Sequence, residues 1–223
     1  MITILFSILT IVQGTYFAEY SRDAEDAVAF FANNSAAFRR VFNGASEDDI
    51  RVAYSIVAPE VSQYDAVSDF MEVTALEIKY VRGGNCDYSI GYFQMKPSFV
   101  ESLEKEVFKS RKLTAKYGEL LKYSKGKNRR KIRQERLDRL SDTEWQIRFL
   151  AIFVDVVKER TAGWNLKNNN EKVRYWATLY NAGFYLSRSR VEQRQGVKQF
   201  PRNTKKFNYS AVAVEFYNAL SGR

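Results

Sequence analysis

Apolar residues recur at helical spacing along most of the chain, and Gly, Asn and Pro mark the breaks between runs. From Asp23 to Phe42 a stretch rich in Ala and Phe predicts one or two short helices. Asn43-Gly44 stops them, since both residues tolerate the left-handed backbone of a helix end. Ser46, followed by Glu47, Asp48 and Asp49, supplies the side-chain acceptor and acidic first turn of a new helix. There Ile50, Ala53, Tyr54, Val57 and Ala58 form one apolar stripe, and Pro59 is expected to stop or kink it. A further helix is predicted over Ser68 to Tyr80, broken by Gly83-Gly84-Asn85, and Pro97 opens the next, through Phe108. Ser141-Asp142-Thr143-Glu144 reads as a capping box for Trp145 to Val157. That segment is apolar nearly all round, which predicts a helix at the centre of the domain. Val173, Trp176, Ala177 and Tyr180 repeat at helical spacing and end at Asn181-Ala182-Gly183; Ala211 to Leu220 closes the chain. A short irregular ribbon is expected around Asp87 to Phe93, and no internal repeat is seen. The fold class is therefore mainly α.

Composition narrows the chemistry. The 223 residues suit one domain or one domain with an appended segment, and 45% apolar content is enough for a real core. There is no His and one Cys, Cys86. Ser-His-Asp and Cys-His machinery are thereby excluded within the chain, as is an intrachain disulfide, and the usual zinc ligands are missing. No Gly-rich phosphate loop or dinucleotide fingerprint occurs. No cofactor and no metal are expected, so proton transfer falls to carboxylates, Tyr or Lys.

Ile2 to Val12 is an apolar run too short to cross a bilayer easily. Its length suits a secretory signal core, with Gly14 and Ala18 as small residues for cleavage, although no basic residue precedes it. The alternative is a buried strand or helix. Residues 1–18 are thus read as a signal peptide, residues 19–223 as the domain, and the compartment as periplasm or cell envelope. The net charge is +9, yet Lys105 to Arg139 alone holds fourteen Lys and Arg against four Asp and Glu. The excess is one local feature, read as a basic helical insertion over about 105–140. It is either a solvated hairpin or a contact surface for a polyanion. Tyr117 and Tyr123 interleave the basic residues, as in some nucleic-acid binders, but no dedicated nucleic-acid motif accompanies them.

Three segments stand out chemically. Glu60 follows the apolar stripe of its helix. A carboxyl there meets the negative end of the helix dipole and some desolvation, and both favour the protonated form that a general acid needs. In Ser89-Ile-Gly-Tyr-Phe-Gln-Met-Lys-Pro97, Gln94 stands among large apolar residues and needs partners. An amide there suits an N-acetyl or hydroxyl group of a sugar equally well as a backbone partner. In Tyr180-Asn-Ala-Gly183, Tyr180 lies on an apolar stripe and Asn181 at a helix end.

In this order the segments resemble the catalytic domain of lytic transglycosylases of the soluble-lytic type, within the lysozyme-like superfamily. That family has a Glu at the end of an apolar helix, then a Gly-Leu-Met-Gln-like segment before Pro, then Ala-Tyr-Asn-Ala-Gly. The counterparts are Glu60, Gly91-Tyr92-Phe93-Gln94 with Pro97, and Leu179 to Gly183. The resemblance implies a lysozyme-like helical domain with a substrate cleft, acting on peptidoglycan glycan strands. Glu60 would be the acid/base and Gln94 would bind the N-acetyl group. Tyr180 would orient Glu60, Asn181 would support the cleft, and Tyr92 and Phe93 would line its wall. Ser89 is a looser match, to a family Ser before the Gly-x-x-Gln element. The chain departs from the family pattern in having Pro59-Glu60-Val61 where Glu-Ser is usual. The stretch from Glu60 to Gln94 is also long and contains Glu72 and Glu77; Glu77 is nearer to the customary spacing, which leaves Glu60 and Glu77 both open as the acid. Other expectations are a two-carboxylate lysozyme using Asp65, Glu72 or Asp87, a non-catalytic wall-glycan binder, and a nucleic-acid binder driven by charge.

Overall fold

The computed structural model describes residues 15–124, 126, 128–201 and 205–222. Helix takes 69% of the protein, so it is mainly α. The first helices are α1 (Tyr16–Glu19), α2 (Ser21–Asn33), α3 (Ser35–Val41), α4 (Glu47–Ser62) and α5 (Ala66–Ile78). Then come α6 (Pro97–Lys109), α7 (Arg111–Tyr117), α8 (Arg129–Ser141) and α9 (Thr143–Arg160). After a single 3-10 turn over Ala162–Trp164 follow α10 (Asn169–Ala182) and α11 (Arg188–Arg194), then the antiparallel strands β1 (Lys198–Phe200) and β2 (Phe207–Asn208), and α12 (Tyr209–Leu220).

Helix α4 is the hub, packed against α2, α10 and α12. Ser46 caps it by accepting from the Asp49 N–H at 3.1 Å, a contact of the kind that stabilises a helix by about 1 kcal/mol. Of the stop or kink expected at Pro59, the stop does not occur: the helix runs on to Ser62. An interior Pro costs about 3 kcal/mol through its missing N–H and ring clash. Here Ile56, Val57, Ala58 and Pro59 itself are buried, and packing on three sides holds the last turn in register. That turn carries Glu60.

Helix α9 fulfils its all-apolar pattern: Ile147, Phe149, Leu150, Ile152 and Phe153 are fully buried. Each such side chain contributes roughly 1.5–3 kcal/mol relative to exposure. Its cap differs from the expected box. Asp142, not Ser141, accepts from the Trp145 N–H, while Glu144 pairs with Arg148 and Arg40.

The basic stretch is not a detached insertion. Leu113, Tyr117, Leu121, Leu137 and Leu140 join the common core. Arg136 is buried between Glu101 and Glu104, at 3.0 and 2.8 Å, and donates to the Tyr80 hydroxyl at 2.6 Å. Arg139 is buried too, stacked 4.5 Å from the Tyr123 ring and 4.2 Å from Trp145. Tyr117 donates to Asp155 and Tyr123 to Glu104. Both rings offered for nucleobase stacking are thus engaged inside the protein.

Most of the expected signal peptide, residues 1–14, lies outside the described residues. The folded body, however, takes in residues 15–18. Tyr16 is fully buried, shares a 2.7 Å hydrogen bond with Ser62 and accepts one from Gln63. The backbone N–H groups of Tyr16 and Phe17 both donate to the Glu215 carboxylate at 3.3 Å. Cleavage after Ala18 would remove this anchor; cleavage after Gly14 would keep it.

Candidate functional site

A cleft of about 880 Å³ opens where the end of α4 meets the end of α10. Its floor holds Glu60, Tyr180 and Tyr209; α5 and the start of α6 flank it, and the β1–β2 hairpin adds Phe200 and Pro201 as a further wall. Of the expected residues, Glu60, Ser89, Gln94, Tyr180 and Asn181 all line this one cleft. Tyr92 and Phe93 do not. Phe93 is fully buried and Tyr92 packs between Tyr64 and Phe30, at 4.2 and 4.6 Å between ring centroids. Their apolar character serves the core, which corrects their assignment to the cleft wall.

The segment that presents Gln94 is a tight turn, not a ribbon over Asp87 to Phe93. Ile90 and Met95 pair through two backbone hydrogen bonds of 3.0 and 3.1 Å, and Gly91 to Gln94 form the loop between them. Gln94 itself has φ +49°. The Ser89 hydroxyl donates to its Oε1 at 3.1 Å and its Nε2 donates to the Gly91 carbonyl at 3.0 Å. The amide is held in place with one N–H and acceptor capacity left for a ligand. Gly91 has φ +73°, and a Cβ there would lie 1.4 Å from Gln146 Nε2. Gln146, buried on α9, accepts from the Phe93 N–H at 2.8 Å and donates to the carbonyls of Leu140 and Ile90. Asp69 on α5 accepts from the Gly91 N–H on the other side.

Tyr180 is bound differently from its expected role. Its hydroxyl donates to the Phe93 carbonyl at 2.6 Å, so it ties α10 to the turn rather than serving Glu60 alone. Burial, and then the charge of Glu60, push this phenol well above its ordinary pKa. Tyr209, at the start of α12, donates to the carbonyl of Ile56, one helical turn before Glu60, at 3.0 Å. Its ionisation is also pushed well up, by burial first, then by the charge of Glu60, by Tyr180 and by a hydrogen bond to Glu60. Two neutral phenols therefore surround a half-buried carboxyl. This arrangement suits holding and moving one proton at an acid.

The other carboxyls divide. Glu77 is exposed on α5 and does not line the cleft, whereas Glu60 does. Asp87 is also outside the cleft, bound to the N–H and hydroxyl of Ser98. Asp65 lines the cleft but caps α5 through the Val67 N–H. Asp69 is held by Gly91 and Tyr64, and Glu72 faces the cleft from the same helix. Among the described residues no group of three or more His, Cys, Asp or Glu is arranged to hold a metal ion.

Sequence reasoning missed Tyr209, Gln146 and Asp69. Only Tyr209 left a usable signal: Asn208 caps α12 by accepting from the Ala211 N–H, which starts that helix two residues earlier than expected and puts Tyr209 in its first turn. Compared with known proteins, the chain matches no family model, no curated protein and no solved structure.

Proposed function

We propose that the protein is an exported peptidoglycan lytic transglycosylase with a lysozyme-like helical domain. It would cleave the β-1,4 bond between N-acetylmuramic acid and N-acetylglucosamine. The observation that carries the reading is the convergence of Glu60, Gln94 and Tyr180, from three distant stretches of chain, on one cleft large enough for sugar rings.

In this reaction Glu60 gives its proton to the glycosidic oxygen as the C1–O bond breaks. The same carboxylate then takes the proton of the muramic 6-hydroxyl while O6 bonds to C1. The product is a 1,6-anhydro sugar, the acid is regenerated, and no water is consumed. Tyr209 hydrogen-bonds Glu60, and Tyr180 lies near it with its hydroxyl spent on the Phe93 carbonyl; neither competes for the Glu60 proton, because both phenols ionise well above their ordinary range. Gln94 offers its remaining amide donor and acceptor to an N-acetyl group.

A second reading is a hydrolase of the lysozyme type, which needs a second carboxylate for water. Glu72 in the cleft wall is the observation in its favour. Mass spectrometry of products from purified peptidoglycan separates the two. Anhydro ends support the lyase, reducing ends the hydrolase, and intact glycan strands would leave a wall-glycan binder.

A further inference from the structure

Among the described residues, helix α5 is partnered on one side only. Asp69 and Glu72 turn to the cleft and Leu76 is buried. On the opposite side Val67, Phe70, Met71 and Ile78 are exposed by 72, 72, 67 and 53%. Their positions, with Thr74 between them, fall on one helical face. The Thr74 hydroxyl donates to the Phe70 carbonyl at 2.9 Å, so even this residue spends its polar atom on the backbone. Four of the seven large exposed apolar side chains among the described residues sit on this one helix. That is a contiguous stripe and not the usual scatter.

The surroundings of the stripe are cationic. Lys79 and Arg82 are exposed just beyond the end of α5. Helix α5 packs on α8, where the Arg133 guanidinium donates to the Tyr80 carbonyl at 3.1 Å. One turn before Arg133, α8 exposes Arg129, Arg130 and Lys131. Among the described residues none of these five cations has an ion-pair partner, unlike Arg136 and Arg139 deeper in the same helix. The exposed acids Asp65 and Glu77 are outnumbered by them, and Asp69 and Glu72 turn to the cleft.

We propose that α5 docks on an anionic bilayer surface. The apolar stripe enters the boundary between headgroups and acyl chains, and the five cations meet lipid phosphates. No helix among the described residues is long and apolar enough to cross a membrane, so this contact lies on the surface. Lipid fits better than a protein partner because the stripe offers apolar carbon with no hydrogen-bonding register, and the exposed charge around it is net positive, five cations against Asp65 and Glu77. Ser68, Asp69 and Glu72 of the same helix line the cleft from its other face, so docking through the stripe leaves the cleft turned away from the bilayer. The inference stands independently of the transglycosylase reading.

The test is co-sedimentation of the full chain with vesicles of phosphatidylcholine alone or mixed with phosphatidylglycerol. The protein should bind the anionic vesicles and be released by salt. Phe70→Ser/Met71→Ser should weaken binding on the order of a hundredfold. Arg129→Gln/Arg130→Gln/Lys131→Gln should do the same on anionic vesicles only. Val67→Ser/Ile78→Ser is a second apolar variant, and unchanged melting of each variant checks the fold. Absent binding by the parent protein, or binding by either apolar variant equal to the parent's, overturns the proposal. Self-association abolished by Phe70→Ser/Met71→Ser, without vesicle binding, also overturns it in favour of a second copy of the chain.

Discussion

Gly91→Ala is the sharpest test of how the cleft is built. Two separate penalties apply. Holding Ala at φ +73° costs about 1–2 kcal/mol, because its Cβ meets the following carbonyl. The new methyl also falls 1.4 Å from Gln146 Nε2, so the buried amide has to leave. It then abandons the Phe93 N–H and the Leu140 carbonyl, at roughly 1–3 kcal/mol for each buried group left unsatisfied. The total is on the order of 3–8 kcal/mol, a large part of the roughly 5–15 kcal/mol that holds a domain folded. Urea unfolding followed by tryptophan fluorescence measures it. A cycle with Gln146→Ala separates the terms. Once the amide is gone, adding Gly91→Ala should cost only the backbone penalty, so the pair should couple by about 2–6 kcal/mol. A Gly91→Ala cost under about 1 kcal/mol, or strict additivity in the cycle, would refute the steric argument.

Two further outcomes follow from buried groups. Tyr180→Phe keeps the ring packed on Phe99 and Phe153 but strands the Phe93 carbonyl, so stability should fall by about 1–3 kcal/mol in the same urea assay, and an unchanged midpoint would remove Tyr180 as the tie to the turn. Glu215 is pushed above its ordinary 4.5, because burial outweighs the two backbone N–H donors. The folded state therefore holds this proton more tightly than the unfolded chain. Its contribution is complete below pH 4.5 and fades as pH rises through the higher folded-state value. The stability of the parent protein relative to Glu215→Gln should decline across that window, and a flat difference in melting temperature would reject the assignment.

The helical class was legible because spacing and stop signals are local. Ser46 and Gly183 announce their helix ends through properties of single residues, and those ends fall there, while α3 stops at Val41, just before Asn43-Gly44. Pro59 misled because its local preference lost to packing by α2, α10 and α12, none of which is adjacent in sequence. Tyr92 and Phe93 misled for a related reason, since an apolar pair in a turn points to the core as readily as to a ligand. Glu60, Gln94 and Tyr180 could be singled out in sequence, but the bonds that position them could not. Gln146 reaches Phe93 across 53 residues, Tyr180 across 87, and Tyr209 reaches Ile56 across 153. No periodicity reports such contacts. The basic stretch shows the same limit in charge: Arg136 and Arg139 look like their exposed neighbours in sequence, yet their partners Glu101, Glu104 and Tyr123 bury them.

The central claim is that Glu60 is the acid. Release of anhydro-muropeptides from purified peptidoglycan by Glu60→Gln, set beside Glu77→Gln, tests it most directly. Glu60→Gln should lower release at least about a hundredfold, the smallest loss typical of a removed general acid, with folding intact. Glu77→Gln, on the outer side of α5, should match the parent protein. Undiminished release by Glu60→Gln would contradict the account.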